Sequence, residues 1–462
     1  MAYLGSTPEY QSFTSGTDYF NGDGISVAFT LSRPVASVND IEVVISNVVQ
    51  QPSTAYSVSG TTITFTSAPP AGTANVYARY MSTATQTITP SPGTVGTSQL
   101  SPSLTNVPFF GGSTIGAGNA TGMKNRIING GMVLDQRNGG ASITINTAAS
   151  IYTLDRWSAY GQAADGVFTV QQSSTAPSNF TNSLSVTVTT ADASISSTQL
   201  YTLGQKVEGY NIADLGWGTA NAKTVTLSFK VRSSVTGTFS GSLKNSDGSR
   251  SFPFTYTISV ANTWSSASIT VPGDTTGSWL TTNGIGLTLT LTLGSGSSRL
   301  GTANTWNAGN YDGATGTDAL IATNGATFYV TGVQLEEGNA ATSFDFVDYS
   351  RQLQMCQRYY YLLVSGNNKS FMNGCAFSAS QVRGHLQLPV TMRTAPAINQ
   401  TSGTNYYKFD ASTGVFVNDF STIYATDTGL LLYEEPVSAT AGQGGTWFTA
   451  NSLAYIAFSA EL

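Results

Sequence analysis

The sequence predicts an all-β, multidomain protein, and three observations support this fold class. Short segments in which apolar and hydroxyl residues alternate recur along most of the chain. Gly, Pro and Asn-Gly turns separate these segments. The best helical periodicity is confined to a short stretch near residue 350. With 462 residues, the chain can hold several domains, and we expect a small N-terminal β domain, a β-sandwich, a short helix and a C-terminal β-sandwich tip.

Composition excludes several classes of function. Charged residues make up only 10% of the chain, against a typical share of about 25%. The 19 Lys and Arg residues and 25 Asp and Glu residues give a net charge of −6, and the sequence contains no basic run. Because binding to nucleic-acid phosphates needs clustered cations, we expect no nucleic-acid partner.

The cysteines and the N-terminal residues indicate in which cellular compartment the protein folds. The two cysteines, Cys356 and Cys375, are too few for a disulfide framework, and we expect both to be reduced thiols. The N-terminal stretch has neither a basic region nor an apolar core of the signal-peptide type, and no run of 18 apolar residues follows. We therefore expect a soluble chain that no signal peptide exports; if it acts outside the cell that made it, release of an assembled particle would carry it there.

Residues 1–82 predict a small β domain. Alternating segments occur at 27–31, 41–45, 56–58, 62–65 and 75–80, with turns at 21–24, 59–60 and 69–72. The Asn-Gly-Asp-Gly opening at 21–24 and the closing hairpin at 62–72 resemble the N-terminal domain of bacteriophage tail fibres. In that family the domain lies at the virion end of the fibre, so the resemblance implies docking to a virion tail or baseplate protein.

Residues 83–123 predict a neck or linker, because Gly, Ser, Thr and Pro dominate and aromatic residues are few. A weakly apolar segment at 98–104 would remain disordered in a single chain. It would form a thin intertwined neck if several chains came together.

Residues 124–349 predict an antiparallel β-sandwich. Alternating strands recur at 184–189, 223–231, 236–243, 254–260, 268–271, 286–293 and 326–330. In the segment 286–293, four leucines face one way and three threonines the other, which predicts one core face and one solvated face.

Five ordered motifs in this part of the chain resemble phage and prophage tail-fibre proteins. They are Lys-Asn-Arg-Ile-Ile-Asn-Gly-Gly-Met at 124–132, Tyr-Thr-Leu-Asp-Arg-Trp at 152–157, Pro-Gly-Asp-Thr-Thr-Gly-Ser-Trp at 272–279, Gly-Thr-Ala-Asn-Thr-Trp-Asn-Ala-Gly-Asn-Tyr at 301–311, and the strand-turn-helix segment at 332–360. The corresponding family module is a carbohydrate-binding-type jelly roll. The resemblance implies that fold and a sugar-binding ancestry, while a working sugar site has to be argued from the residues.

Aromatic and charged residues in the predicted jelly roll have two interpretations. Tryptophan rings can stack on the C–H faces of sugars, but burial in the core is favoured because tryptophans dominate packing. Asp155 and Arg156 could grip a ligand, yet an ion pair or hydrogen bonds to loop backbone are favoured. The tryptophans concerned are Trp157, Trp217, Trp264, Trp279 and Trp306.

An acidic cluster, formed by Glu336, Glu337, Asp345 and Asp348, raises the possibility of a metal site or a glycosidase pair. The spacing supports neither, and we interpret these residues as solvated or helix-capping groups. Asp348 or Ser350 is the predicted N-cap of the following helix.

Residues 350–363 predict a helix with one apolar stripe. The stripe includes Leu353, Met355, Cys356, Tyr359 and Tyr360 at helical spacing. A short one-sided helix must bury its stripe to be stable, and a tail fibre offers two further copies of the chain. We therefore predict a homotrimer, with these five residues at its axis.

Residues 364–462 predict a C-terminal β tip that binds the receptor. Polar loops carrying aromatic residues lie between its predicted strands. The segment 388–396 resembles the start of the terminal head in the same fibres. The candidate receptor-binding residues are Tyr406, Tyr407, Phe420, Tyr424, Trp447 and Phe448.

No catalytic constellation is visible in the sequence. The single histidine, His385, lies in a strand-like stretch without a recognisable Ser, Cys or acid partner motif. One histidine also argues against multi-His metal chemistry, and we expect neither catalysis nor a cofactor or metal.

The predicted function is that of a phage tail fibre located in the virion tail and assembled in the host cytoplasm. Its expected partner at the tip is a bacterial surface glycan or an outer-membrane protein. Two alternatives stay open: a tailspike-like depolymerase, which would need an acid pair in a groove, and a purely structural fibre spacer.

Overall fold

A computed structural model describes residues 15–81, 123–162, 165–412 and 414–462, and these residues form two compact units, Met1–Phe110 and Gly111–Leu462. The prediction of an all-β, multidomain chain is confirmed. Of the predicted neck, all but Met123 lies outside the described residues. Within the described residues, no helix is long and apolar enough to cross a membrane. Single-turn 3₁₀ helices lie at Val38–Asp40, Gly209–Asn211, Ala213–Leu215, Ser297–Arg299 and Leu320–Ala322.

The N-terminal unit is a small antiparallel β domain. Its strands are β1 (Thr17–Gly22), β2 (Ala28–Val35), β3 (Ile41–Ile45), β4 (Val48–Val49), β5 (Tyr56–Phe65) and β6 (Gly72–Tyr80). One sheet has the order β1-β6-β3-β4, and β2 pairs with β5. The alternating residues of these strands meet in one core, which includes Leu31, Val43, Tyr56, Ile63 and Val76.

The Asn-Gly-Asp-Gly motif forms the turn after β1. The Asp23 carboxylate accepts hydrogen bonds from the backbone N–H groups of Ile25 (2.8 Å) and Ser26 (2.6 Å) and from the Ser26 hydroxyl (2.6 Å). These hydrogen bonds favour the ionised form and lower the pKa of Asp23 to about 2. A side chain at position 22 would collide with the Pro70 carbonyl oxygen. The turns at 21–24 and 69–72 can therefore lie this close together only because residue 22 is glycine.

The jelly-roll module supplies the first fifteen strands of the second unit. They are β7 (Ile143–Ile145), β8 (Ser150–Tyr152), β9 (Ser158–Tyr160), β10 (Val167–Ser173), β11 (Ser183–Thr190), β12 (Leu200–Glu208), β13 (Val225–Ser233), β14 (Gly237–Lys244), β15 (Arg250–Ile258), β16 (Ser265–Val271), β17 (Ile285–Ser295), β18 (Leu300–Gly301), β19 (Asn307–Ala308), β20 (Gly313–Ala314) and β21 (Thr327–Glu337). A six-stranded sheet, β16-β13-β21-β11-β10-β7, packs on a seven-stranded jelly-roll sheet, β19-β15-β14-β17-β12-β9-β8.

Four of the five jelly-roll tryptophans stabilise the fold. Trp157 is fully buried and donates from its indole to the Asn129 carbonyl (3.1 Å). Trp217, Trp279 and Trp306 form an edge-to-face trio with ring centroids 4.7–5.5 Å apart, and each indole N–H donates to a backbone carbonyl. The favoured core interpretation therefore holds for these four residues, while Trp264 lies half-buried just before β16.

Two of the three threonines on one face of β17 are buried, contrary to the prediction, and Thr288 is half-buried. Thr290 and Thr292 are 7% and 5% exposed. The Thr292 hydroxyl donates to the Asp312 carbonyl (2.6 Å), because the loop that carries β20 covers this face of the seven-stranded jelly-roll sheet. Alternation in the sequence indicates that the two faces of the strand have different environments, but it does not show that a loop buries Thr290 and Thr292 on the polar face.

The acidic cluster is structural. Glu336 is 1% exposed and accepts hydrogen bonds from Gln334 (2.8 Å) and from the backbone and hydroxyl of Thr342 (2.8 and 2.6 Å). Glu337 pairs with Lys223 at 3.0 Å. Asp348 is the N-cap of the helix, as predicted, and accepts from the backbone N–H groups of Ser350 and Arg351.

The predicted helix at 350–363 is too long. Among the described residues α1 spans Tyr349–Gln357, and Tyr360–Ser365 form strand β22, which pairs with the last strand of the tip. The run of aromatic and branched residues after Arg358 favours extended structure once a partner strand is available.

The apolar stripe of this helix is buried within one chain. Cys356 and Tyr359 pack with Ile128 and Leu134, and the guanidinium of Arg137 lies 3.7 Å from the ring centroid of Tyr360. The prediction that Cys356, Tyr359 and Tyr360 are trimer contacts is therefore wrong, because the chain itself covers these three side chains. Leu353 and Met355 are half-buried against the same cluster, and their role in a trimer stays a prediction.

The tip is a second β-sandwich. Its strands are β22 (Tyr360–Ser365), β23 (Ser370–Ala376), β24 (Val382–Gln387), β25 (Ala397–Gln400), β26 (Tyr407–Asp410), β27 (Val415–Val417), β28 (Ser421–Ile423), β29 (Gly429–Glu434), β30 (Gly444–Thr449) and β31 (Tyr455–Ser459). A three-stranded sheet, β22-β31-β25, and a seven-stranded tip sheet, β27-β26-β30-β23-β24-β29-β28, enclose one core.

Buried ion pairs join the tip to the jelly-roll module. Glu461 pairs with Arg137 (2.9 Å) and with Arg156, whose guanidinium also lies 3.6 Å from the ring centroid of Tyr359. The Glu208 carboxylate accepts two hydrogen bonds from Arg358, at 2.9 and 2.6 Å. Arg156 thus binds a partner 305 residues away and not the neighbouring Asp155, which accepts hydrogen bonds from Gln136.

Candidate functional site

The outer face of the seven-stranded tip sheet presents a continuous row of side chains suited to recognition. In β24, β26 and β27 buried residues alternate with accessible ones, so every second side chain points away from the core. Residues that pair directly across antiparallel strands point to the same face. The register therefore determines which accessible residues are neighbours.

The first group lies on β27, β26 and β30. Phe416 pairs with Lys408, and Lys408 pairs with Phe448. Phe416 is 51% exposed, and the Lys408 ammonium lies 6.0 Å from its ring centroid and 2.8 Å from the Asp410 carboxylate. Strands are about 4.8 Å apart, so the backbone positions of Phe416 and Phe448 lie roughly 10 Å apart, with Lys408 on the strand between them.

The second group lies on β24 and β29. Arg383 pairs with Tyr433, and its guanidinium stacks over the ring of Phe377, which is 59% exposed. Between the two groups, the Thr446 hydroxyl donates to the Asn373 side-chain oxygen at 3.2 Å. The face thus combines accessible rings, two cations, hydroxyls and an amide, and its backbone is held by the sheet.

The predicted receptor-binding residues divide into two sets. Tyr407, Phe420 and Trp447 are 0%, 3% and 0% exposed and pack together, with centroids 4.9 Å apart for Phe420 and Trp447 and 5.0 Å apart for Tyr407 and Phe420. Their prediction as receptor contacts is wrong, because they form the aromatic core of the tip.

The remaining three predicted residues are accessible. Phe448 is half-buried and belongs to the first group on the sheet face. Tyr406 is also half-buried, and Tyr424 is 82% exposed just beyond β28. Their contact with a receptor stays a prediction.

Phe416, Lys408, Arg383 and Tyr433 were not among the residues predicted from the sequence. A signal was present in two segments of the sequence. Alternation in Val415-Phe-Val417 assigns Phe416 to the outer face, and alternation in Val382-Arg-Gly-His-Leu-Gln387 assigns Arg383 to it. The predicted receptor residues were chosen from polar segments between predicted strands, but strands β25, β28 and β30 overlap those segments.

One carboxyl group near the rim of the tip sheet has an altered acidity. Partial burial, together with the nearby carboxylates of Asp419 and Glu435, raises the pKa of Glu434 to about 7. Glu434 follows Tyr433 at the end of β29 and pairs with buried Val382, so its side chain lies on the opposite face of the sheet from Tyr433.

The described residues contain no group of three His, Cys, Asp or Glu side chains arranged to hold a metal ion. Burial raises the pKa of the Cys356 thiol well above its ordinary value, which leaves it unreactive. His385 points to the outer face of β24 beside Leu431, and Cys375 is exposed on β23.

The chain matches no known protein family, and no curated protein matches it either. Among solved structures, it is similar to the enzymatically active domain of tailspike protein 4 of bacteriophage CBA120, at 12% identity over 46% of this chain, with a TM-score of 0.25. That match spans only 21% of the tailspike chain.

Two further similar structures are carbohydrate-binding modules. A family 11 module of a cellulosomal cellulase of Clostridium thermocellum is 12% identical, covers 44% of this chain and 99% of its own, and has a TM-score of 0.22. A tandem pair of family 22 modules from Paenibacillus barcinonensis is 9% identical, covers 70% of this chain and 99% of its own, and also has a TM-score of 0.22.

Proposed function

We propose that this chain is a phage tail fibre whose tip binds a bacterial surface glycan through the outer face of the seven-stranded tip sheet. One observation carries the proposal: Phe416, Lys408 and Phe448 form an accessible row on a sheet whose other face is a packed aromatic core. Rings supply contact area for the C–H faces of sugars, while hydroxyl and amide groups match sugar hydroxyls. Strands hold these groups more firmly than loops would.

A double substitution, Phe416→Ala with Phe448→Ala, tests this surface. We measure binding of the purified full chain to arrays of bacterial capsular and lipopolysaccharide glycans. The wild-type chain is expected to bind at least one glycan, and the double variant to bind it at least about tenfold more weakly. Leu453→Ala is the matched control, because Leu453 is 69% exposed on the tip and lies outside the sheet.

Equal binding by the double variant and the control would refute the proposed surface. Point variants are preferable to deletion of residues 364–462, since deletion would remove Glu461 from buried Arg156 and destabilise the jelly-roll module. If binding survives every substitution on the tip sheet, the structural-spacer alternative gains support.

The remaining roles follow from the sequence resemblance. Residues 1–82 attach the fibre to a virion tail or baseplate protein, and the mature chain resides in the virion tail after assembly in the host cytoplasm. A homotrimer also belongs to this proposal, although the chain itself covers much of the helix stripe that predicts it. A mass measurement in solution that gives a stable monomer would exclude the trimer.

Polysaccharide cleavage is a second candidate function, and the observation that favours it is the proximity of Glu434 to the carboxylates of Asp419 and Glu435. A carboxyl group with a pKa of about 7 beside a second carboxylate has the character of a general acid. Cleavage would release new reducing ends from a bound polysaccharide and would be lost in Glu434→Gln. If the wild-type chain binds a polysaccharide without releasing reducing ends, the binding function stands alone.

A further inference from the structure

The outer face of the six-stranded jelly-roll sheet carries an aromatic platform that is distinct from the tip. Trp264 and Tyr329 are both half-buried, and their ring centroids lie 6.3 Å apart. On β13, Arg232 pairs with Tyr329 in register, and its guanidinium lies 5.0 Å from the Tyr329 ring centroid. Three planar groups therefore lie side by side at one end of this sheet.

Trp264 differs from the other tryptophans of the jelly-roll module. Those four donate an indole N–H to a backbone carbonyl, whereas the indole of Trp264 has no hydrogen-bond partner among the described residues. A half-exposed ring with a free N–H group can stack on a sugar and donate to one of its oxygens.

Hydroxyl groups surround the platform. On the far side of Tyr329, exposed Thr187 pairs with Thr327 on the same face. On the near side, the Lys230 ammonium donates to the Ser266 hydroxyl at 2.6 Å. Such groups exchange hydrogen bonds readily with sugar hydroxyls or with water.

The charged side chains beside the platform are cations. Neither Arg232 nor Lys230 forms an ion pair with any described residue; Arg232 donates from Nε to the Asn262 carbonyl at 2.8 Å. The acidic residues of the same sheet, Glu336 and Glu337, lie at the opposite end of β21 and are engaged with Thr342 and Lys223. Two cations therefore face solvent beside the aromatic platform of a chain whose net charge is −6.

We propose that this face is a second polysaccharide-binding surface and that its ligand is an acidic polysaccharide bearing uronate carboxylates. Trp264 and Tyr329 stack on the sugar rings, while Arg232 and Lys230 bind the carboxylates. A guanidinium suits this role because its planar donors match a carboxylate and its face packs on tyrosine. The proposal does not depend on the tip, because its residues all lie in the jelly-roll module.

The probe is an α-1,4-linked galacturonic acid oligomer, and its carboxyl-reduced form is the neutral counterpart. Calorimetric titration of the full chain should show tighter binding of the acidic oligomer, with affinity falling as salt rises and the charges are screened. Trp264→Ala should weaken binding of both oligomers at least about tenfold, and Trp264→Phe should retain most of it. Arg232→Gln should remove the preference for the acidic oligomer.

Two control variants test whether the oligomer binds at the platform itself. Tyr210→Ala removes another exposed aromatic of the same module, 60% exposed, and should leave binding unchanged. The tip double variant, Phe416→Ala with Phe448→Ala, should also bind the galacturonate oligomer as the wild type does. Absence of binding in the wild-type chain, or undiminished binding by Trp264→Ala, would overturn the proposal without affecting the tip surface.

Discussion

Replacing Glu461 by Gln should destabilise the second unit far more than a typical loss of an ion pair. The Glu461 side chain is 6% exposed, and its partners Arg137 and Arg156 are 11% and 1% exposed. The substitution keeps the size of the side chain and leaves buried Arg156 without a counter-charge, while Arg137 keeps the nearby carboxylates of Asp135 and Asp155. Breaking a buried pair by removing one partner costs about 3–5 kcal/mol.

The alternative partners of Arg156 do not compensate for this loss. Its guanidinium also donates to the Lys206 carbonyl and lies over the ring of Tyr359, but neither group carries a negative charge. The glutamine oxygen would still accept one hydrogen bond, so we expect a loss near 3 kcal/mol, the lower end of that range, in the free energy of unfolding.

Urea denaturation of wild type and variant, followed by tryptophan fluorescence, measures this difference. Glu337→Gln is the matched control because it breaks an ion pair of the same module whose side chains are 44% and 37% exposed. An exposed pair contributes only about 0–1 kcal/mol. If Glu461→Gln costs no more than Glu337→Gln, the inference that buried charges hold the tip on the jelly-roll module is refuted.

Three further outcomes follow from the tip and the helix. Trp447→Ala should cost about 3–5 kcal/mol in urea unfolding, whereas Phe416→Ala on the outer face should change stability by less than about 1 kcal/mol. Because the pKa of Glu434 is raised, the folded state keeps a proton that the unfolded state releases, and the stability of the wild type should fall as the pH rises from about 4.5 to 7. Thermal unfolding should show Glu434→Gln more stable than wild type at pH 8 and equal to it at pH 4. A thiol reagent should label Cys375 in the native chain and Cys356 only after unfolding, and equal labelling of both would contradict the burial of Cys356.

Local patterns predicted the strands well wherever alternation was long. The leucine-threonine segment at 286–293 lies within β17, and the segment at 41–45 is β3. Alternation is a property of the strand itself, so it survives without knowledge of the rest of the fold. The N-cap role of Asp348 was equally local, since it depends on backbone N–H groups two and three residues away.

Which face of a strand is covered was not predictable in the same way. Trp447 and Phe448 are adjacent aromatic residues, and no local pattern distinguishes the one that is buried from the one that is accessible. The choice is made by β26 and β23, which pair with β30 and orient its alternate residues toward the core. Candidate receptor residues selected by composition alone therefore mixed the core of the tip with its surface.

The Asp-Arg-Trp motif at 155–157 shows how a distant contact changes the meaning of a local pattern. An acid beside a base suggested a ligand-gripping pair, but the carboxylate that neutralises Arg156 comes from Glu461, beyond the last strand of the tip. A buried ion pair is weak evidence for stability, because desolvation offsets much of its attraction. It is stronger evidence for orientation, since a buried guanidinium tolerates few placements of its partner. We infer that Arg156 and Arg137 fix where the tip sits on the jelly-roll module, within the compact unit that carries both the tip surface and the Trp264 platform.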